Sequence, residues 1–560
     1  MDKSKNFYIL CLLICSLVTV SCQDALTEDP DSYYQKKEFF TDKSKAQMAV
    51  VGVYSILPTL YGDPEMAFPC SDDTYYASGV TSDNARRDLT HYALNPQNQY
   101  VNSVWTATYK GIDYANYTIE GIEGMENYEN DSDLQSMVAE AKFLRALYAF
   151  NLIRYWGDVP FKTTYSKNYE DAYQPRTNRE DIYEQVIRDL DFAKTHLEWA
   201  DAGSSPEKAT QGAARALLMR VLLQRAGYSL QLDGTTTRPD DEKRKAYFTA
   251  IIREWEAFKE SGYHDFYTGG YTELFKGFSA GVLNSKESLF EIAFHTPDGK
   301  TGAKGYWGTY NGPSVAAPSI SVTEAAQFMG RANALFRVIP EWRSFFEDKD
   351  ARRDVMVCTY KYTWDATLYN HKKVENKNGK DWYPGKWRRE WMPIGYKDPN
   401  LSNVNFCNLR YADVVLMAAE AYNELDNTPE AWNLLNSVRK RAGATEITAA
   451  NYASFFKAPK VYNLDFISDG DEKGKLRTAL YWERGLELAF EGQRKYDLIR
   501  WGILKEAITL FSEKTVVNTS STTAYPAGKN FQKGKHELFP IPTDEMQVNY
   551  LLGNKNNPNY

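Results

Sequence analysis

Apolar residues in the first half of the chain recur at helical spacing. In "KSKAQMAVVGVYSIL", Met48, Val51, Tyr54 and Ile56 fall near one face, and Pro58 is placed to stop the helix. "NSVWTATYKGIDYANYTIEGIE" continues the pattern. In "DLQSMVAEAKFLRALYAFNLIRYWGDVPF", Phe143, Leu147 and Phe150 make one stripe and Leu144, Tyr148 and Leu152 another. A helix apolar on two stripes is expected to be mostly buried, and Gly157 and Pro160 are expected to end it. "NREDIYEQVIRDLDFAKTHL", "KATQGAARALLMRVLLQRAGYSL" and residues 243–260 predict three more helices. Gly212, Ala213, Ala214, Ala216 and Ala226 are small enough to let helices approach closely. Consecutive helix pairs are the unit of a tetratricopeptide-type solenoid, although no clean period of about 34 residues is present.

From about residue 262 to 400 the pattern breaks. Gly, Asn, Trp and Tyr rise in "YHDFYTGGY", "GAKGYWGTYNGPS" and "DWYPGKWRREW", while "ESLFEIAFH" reads as a strand. Long irregular segments in a compact protein are usually functional loops. Helices return with "LRYADVVLMAAEAYNEL", "PEAWNLLNSVRKRAG" and "ERGLELAFEGQRKYDLIRWG". The end, "HELFPIPTDEMQVNYLLGNKNNPNY", is expected to wrap the surface. The fold class is therefore mainly α: a tetratricopeptide-like scaffold of helical pairs with a loop-rich second lobe containing a few short strands.

The N-terminus changes where this scaffold is placed. Lys3 and Lys5 precede an apolar run from Phe7 to about Val20, shorter than the roughly 20 apolar residues a bilayer span needs. It reads as a secretory signal peptide over residues 1–21. Its end at Ser21-Cys22 resembles a bacterial lipobox, with Thr19 where Leu is usual. Cys22 would then carry the acyl chains, of which stable anchoring takes two or more. Asp24, Glu28, Asp29 and Asp31 make the following stretch, to residue 40, an acidic tether. No later segment is long and apolar enough to cross a membrane.

Charge and reactive side chains exclude several classes. The net charge of -8 argues against nucleic acid as a partner. The six cysteines form no C-x-x-C pair, and the six histidines, scattered from His91 to His536, form no H-E-x-x-H, so no metal site and no cofactor are expected. Gly277–Gly281, "GFSAG", matches a nucleophile elbow, but the strand before Ser279 and the helix after it are missing from the pattern. Glu483, Glu487 and Glu491 stand four residues apart. On one helix face, carboxylates so spaced could act as acid and base. Arg477, Arg484 and Arg494 in the same segment favour paired, structural charges instead, because arginine lowers a carboxyl pKa.

"AEAKFLRALYAFNLIRYWGDVPF", "LRYADVVLMAAEAYNEL", "ERGLELAFEGQRKYDLIRWG" and "ELFPIPTDEMQVN" occur in this order. With the lipobox they make the chain resemble the SusD/RagB family of Bacteroidetes outer-membrane lipoproteins, from Cys22 to Tyr560. The ending "NKNNPNY" departs slightly from the family's Gln-Asn-Pro-Gly-Tyr. The resemblance implies a helical region over 41–261, a loop-rich ligand-binding lobe over 262–400 and a helical region over 401–560. It also implies a surface-exposed, lipid-anchored protein of the outer membrane. Such a protein binds a glycan without catalysis and partners a SusC-like TonB-dependent barrel. A peptide receptor of the RagB kind and a surface glycosidase are the alternatives. The shared motifs are frame motifs, so the glutamates belong to the frame and the ligand site belongs to the individual loops.

A sugar presents apolar C–H faces and a rim of hydroxyls, which call for flat rings beside planar hydrogen-bonding groups. Two regions have that mixture. One holds Asp73, Tyr75, Tyr76, Asn84 and Arg86; the other holds Tyr306, Trp307, Tyr310, Trp364 and Trp382. Replacing Trp307 and Tyr310 by Ala is expected to weaken glycan binding while the fold survives.

Overall fold

The structure is a computed structural model. It describes residues 39–560 except 78, 297–301, 322–323, 325–326, 396–399, 456–469, 514 and 518–521. The signal peptide, Cys22 and nearly all of the tether lie outside the described residues.

Helix α1 (Lys43–Tyr54) starts where Asp42 accepts from the Lys45 amide. Its buried residues are Ala46, Val50 and Val53, whereas Met48 and Val51 are 62% and 56% exposed. Of the apolar stripe expected from sequence, Met48 and Val51 are thus turned outward, while Tyr54 is half-buried and Ile56 buried. Ala46, Val50 and Val53 form a competing stripe of smaller side chains, and it is this face that packs against the next two helices. Pro58 does not merely stop α1. It opens a further short helix, Leu57–Tyr61, in a first-turn position where its missing N–H costs nothing.

Helices α2 (Gln99–Glu123) and α3 (Ser132–Trp156) are capped by the side chains of Asn98 and Asp131. They close tightly at Gly111, where a Cβ would stand 2.7 Å from the Tyr148 ring. Both expected stripes of α3 are buried, and Gly157, at φ +74°, ends it. Helices α4 (Arg179–His196), α5 (Gln211–Arg225) and α6 (Asp241–Ser261) follow, capped by Asn178, Thr210 and Asp240. Each packs on the next, which gives the expected scaffold of helical pairs. Helix α7 (Tyr271–Ala280) holds Ser279 inside its last turn and 1% exposed. The "GFSAG" stretch is therefore a helix end and not a strand-to-helix elbow.

The described strands pair only in twos. Strand β1 (Thr74–Tyr76) pairs with β3 (Phe336–Val338), and β2 (Ser288–Ile292) with β6 (Phe406–Arg410). Strands β4 (Tyr360–Asp365) and β5 (Asn370–Glu375) form a hairpin. Helices α8 (Tyr411–Glu424), α9 (Thr428–Arg441), α10 (Glu472–Leu488) and α11 (Arg494–Arg500) complete the frame. Helix α6 packs on α8, and one hydrophobic cluster runs from Val53 to Leu552.

The three glutamates are buried at the centre of this frame. Helix α10 ends at Leu488, so Glu491 is not on it; Phe490 and Gly492, at φ +66° and +78°, turn the chain back. Glu491 nonetheless rejoins the other two through shared arginines. Arg410 donates to Glu487 at 2.7 Å and to Glu491 at 2.9 and 3.0 Å. Arg439 donates to Glu483 at 2.8 Å, and Arg352 and Arg441 reach Glu487. Burial would raise the Glu487 carboxyl, but Arg441, Arg410 and Arg352 outweigh it and hold it at about 2. A carboxylate so held stays ionised and cannot serve as a general acid near neutral pH.

The C-terminal segment does more than cover the surface. Leu538, Phe539 and Ile541 are buried. Trp156 donates its indole N–H to the Pro540 carbonyl at 2.9 Å, and buried Asn557 donates to the carbonyls of Trp156 and Phe539. The tail is a plug in the end of α3.

Candidate ligand-binding face

The two predicted regions meet. Strand β1 and the Tyr306–Ala316 segment both border β3: Tyr76 lies opposite Phe336, and the Phe336 amide donates to the Tyr310 carbonyl at 3.2 Å. The rings of Tyr306 and Tyr310 stack face to face, 4.3 Å apart and within 6° of parallel. The Arg86 guanidinium continues the stack, 5.4 Å from the Tyr310 ring and 5.3 Å from Tyr100 on its other side. Asp63 fixes it, accepting from Arg86 Nε at 2.7 Å and from the Tyr100 hydroxyl at 2.6 Å. Burial opposes the Arg86 charge, and the bond to Asp63 more than restores it. The result is an ordered pile of flat groups, half-buried at the surface.

Trp307 is the floor and not part of the face. It is 1% exposed, stacks on Phe406 at 4.4 Å and donates its indole N–H to the Tyr61 carbonyl at 3.0 Å. The loop needs Gly308 at φ +79°, where a Cβ would run into Met392. This alternation is what lifts Tyr306 and Tyr310 while Trp307 points down. Tyr75 is fully buried against Tyr525, and Tyr76 is buried edge-on to Phe336. Neither offers a ring face to solvent. Asn84 is exposed at φ +49°, its amide donating to the Gln97 carbonyl at 3.0 Å.

Asp73 is buried beside Asp72, and the two neighbours differ in kind. Asp72 accepts from Arg494 at 2.8 and 2.9 Å. Asp73 has no such partner, and burial, with the Asp72 charge next, pushes its carboxyl up to about 7. Asp72→Ala would leave Arg494 buried and unpaired and is expected to cost about 3–5 kcal/mol. Asp73→Asn is expected to leave the melting point at pH 8 unchanged or higher. Because its folded pKa exceeds the unfolded value of about 3.9, Asp73 makes stability fall as pH rises from about 4 to about 7. Asp73→Asn should remove that part of the slope, read from melting points across the range. A large loss in Asp73→Asn at pH 8 would contradict the assignment.

The remaining predicted rings lie on or near the hairpin. Trp364 on β4 is half-exposed, with Phe328, Tyr369 and His371 around it at 5.1–5.6 Å. Trp382 is half-buried, its indole donating to the Asn376 carbonyl at 2.9 Å and Arg343 lying 5.8 Å over its ring. Sequence reasoning passed over several members. Tyr360 and Tyr362 both donate to Glu390, and Arg388 lies 4.4 Å from Trp391 and 5.4 Å from Tyr360. Ser314 and Ala316 bond the backbone of Tyr362, which ties the tyrosine pile to the hairpin. Alternating Tyr-x-Tyr-x-Trp in β4 was the signal available for them.

A separate cleft of about 730 Å³ lies between the end of α7, residues 293–296 after β2, and residues 393–395 and 403–405, and among the described residues Phe294 and His295 are its aromatic rings. It lacks the paired flat surfaces described above. Among the described residues no helix is long and apolar enough to cross a membrane, and no group of three or more His, Cys, Asp or Glu is arranged to hold a metal ion.

Helical pairs carrying a loop lobe of stacked rings define the class to which this chain is compared. A model of the SusD family matches residues 286–560, and one described as starch-binding associating with outer membrane matches residues 25–223. The chain belongs to the SusD/RagB family. It is 26% identical over 588 residues to the SusD-like protein P25 of Formosa agariphila, with 98% of each chain covered. The crystal structure of a SusD homolog from Bacteroides thetaiotaomicron is similar at a TM-score of 0.76 and 27% identity, over 94% of this chain and 98% of that one. Surface glycan-binding protein A from Bacteroides fluxus shares the fold at a TM-score of 0.66 and 19% identity, over 93% and 100% of the two chains.

Proposed function

We propose that this chain is a lipoprotein acylated at Cys22 that binds glycan at the cell surface. It passes the glycan, unmodified, to a SusC-like TonB-dependent barrel of the outer membrane. Family membership supports this reading, as does a fold shared with a protein named for surface glycan binding. The observation that carries it is the parallel Tyr306–Tyr310 pair buttressed by Arg86, a flat and prearranged surface of the kind that stacks on sugar C–H faces. Binding without cleavage is supported by the burial of Glu483, Glu487 and Glu491 among arginines, out of contact with solvent.

Titration calorimetry against a polysaccharide panel tests it. Tyr310→Ala is expected to lower affinity about tenfold or more, a loss of about 1.4 kcal/mol or more, with the melting point within a few degrees of the parent. Unchanged affinity would remove the pile from the site. Shortened oligosaccharides after incubation would contradict binding without cleavage, and absence of a barrel from material co-purified from outer membranes would contradict the partner.

A further inference from the structure

The glycan reading leaves the chemistry of the sugar open, and the distribution of charge bears on it. The whole chain is acidic, with 66 Lys and Arg against 74 Asp and Glu. Residues 360–391, which hold the hairpin and both candidate tryptophans Trp364 and Trp382, reverse this: eight Lys and Arg stand against four Asp and Glu.

The cations of this stretch also differ in how they are used. In the frame, buried arginines such as Arg352, Arg410, Arg439 and Arg494 all face carboxylates. On the hairpin lobe, Lys372 and Lys377 are exposed and Lys380 is half-exposed, and none of them forms an ion pair among the described residues. Arg331, also exposed and without an ion pair among the described residues, lies beside the bridge that joins Val315 to Ala332 and to Tyr362.

Register places these charges next to rings. Tyr362 lies opposite Lys373 and Trp364 opposite His371, so the rings of β4 occupy one face with Lys373. The Lys373 ammonium sits 3.6 Å from the centre of the Tyr360 ring. Lys372, opposite Thr363, points to the other face of the hairpin, beside Asp365. Lys377 and Lys380 lead into Trp382, which Arg343 covers from one side. Exposed cations without a carboxylate at ion-pair distance bring little stability of their own. Beside a ring-bearing surface they raise the local concentration of an anionic polymer. A neutral glycan would draw little from Arg331, Lys377 and Lys380, whereas carboxylate or sulfate groups along a sugar chain would neutralise them.

We propose that the ligand is an anionic glycan, a polysaccharide bearing carboxylate or sulfate groups. Trp364 and Trp382 take sugar faces; Arg331 meets charges beside the first, and Lys377 and Lys380 meet charges beside the second. The proposal rests on the glycan reading above.

The test is calorimetry with polygalacturonate and alginate (carboxylate), carrageenan (sulfate), and laminarin and starch (neutral). Each is titrated at about 50 and about 500 mM NaCl, concentrations between which exposed charges become strongly screened. Wild type is expected to bind at least one polyanion tenfold or more tighter than either neutral polymer, and to lose most of that advantage at the higher salt. The polymer that binds identifies the anionic group. The triple variant Arg331→Gln, Lys377→Gln, Lys380→Gln is expected to keep its circular dichroism and melting point and to lose tenfold or more in affinity for the polyanion. Neutral polymers bound as tightly as polyanions, or polyanion affinity unchanged in the triple variant, would overturn the charge assignment and leave the glycan reading standing. Binding to phosphatidylglycerol vesicles through the same side chains, with no anionic glycan bound, would also overturn it. No binding to any polymer would overturn both readings together.

Discussion

Replacing Arg410 by methionine is expected to lower the free energy of unfolding by about 3–5 kcal/mol. The Arg410 guanidinium serves three carboxylates at once: Glu287 at 2.8 Å, Glu487 at 2.7 Å and Glu491 at 2.9 and 3.0 Å. Methionine fills much of the space but leaves these anions crowded in a dry interior. Arg410→Lys should recover only part of the loss, because an ammonium cannot reproduce a fork shared by three acceptors. Urea unfolding measures both. A loss under about 1 kcal/mol, close to that of an exposed pair, would mean that Arg441, Arg352 and Lys386 neutralise the glutamates without Arg410.

The same network sets an acid limit. Glu487 is held at about 2, below its unfolded value. Its contribution is therefore present above an unfolded pKa of about 4.3 and disappears as pH falls from there towards about 2. Arg410→Met should flatten this part of the pH profile as well as lower it.

Trp307→Ala is the second large effect, and it reverses an expectation from sequence. The ring is buried, stacked on Phe406 at 4.4 Å and 4.8 Å from Trp387. Its removal is expected to cost about 3–5 kcal/mol through a cavity beneath the loop. Ligand binding should fail along with it, because Tyr306 and Tyr310 lose their floor. Tyr310→Ala, by contrast, should lose ligand and keep stability. Comparing melting points and affinities of the two variants separates support from contact. Equal stability losses would show that Tyr310 is a core residue too.

These cases mark where the chain was readable. The stripes of α3 appeared in sequence because a helix buried on nearly all sides must be apolar on nearly all sides. The stripe of α1 misled, since Met48 and Val51 are as apolar as Val50 and Val53 and only packing partners choose between the two faces. The loop lobe was legible as a region, from its Gly, Trp and Tyr, but not residue by residue. Tyr306, Trp307 and Tyr310 are alike in composition terms. The positive φ of Gly308 and the contacts of Trp307 with Phe406 and Tyr61 decide which of them points down. Asp63, Tyr100 and Arg388 could not be found from spacing, because they reach the rings from distant parts of the chain.

By itself the amino-acid sequence determined the helical frame, its family, the ring-rich lobe and that the glutamates are structural charges met by arginine. It misplaced the partners: Arg477, Arg484 and Arg494 pair with Glu424, Asp497 and Asp72, and the arginines that meet the glutamates come from other segments. Periodicity and composition are local properties, and local properties survive in a string of letters. Tertiary structure alone decided that Glu491 rejoins Glu483 and Glu487 after the helix has ended. It also decided that Tyr306, Tyr310, Arg86 and Tyr100 form one pile, and that Trp307 lies beneath it. Those outcomes depend on which surfaces exclude water against each other, and segments far apart along the chain settle that only when they pack.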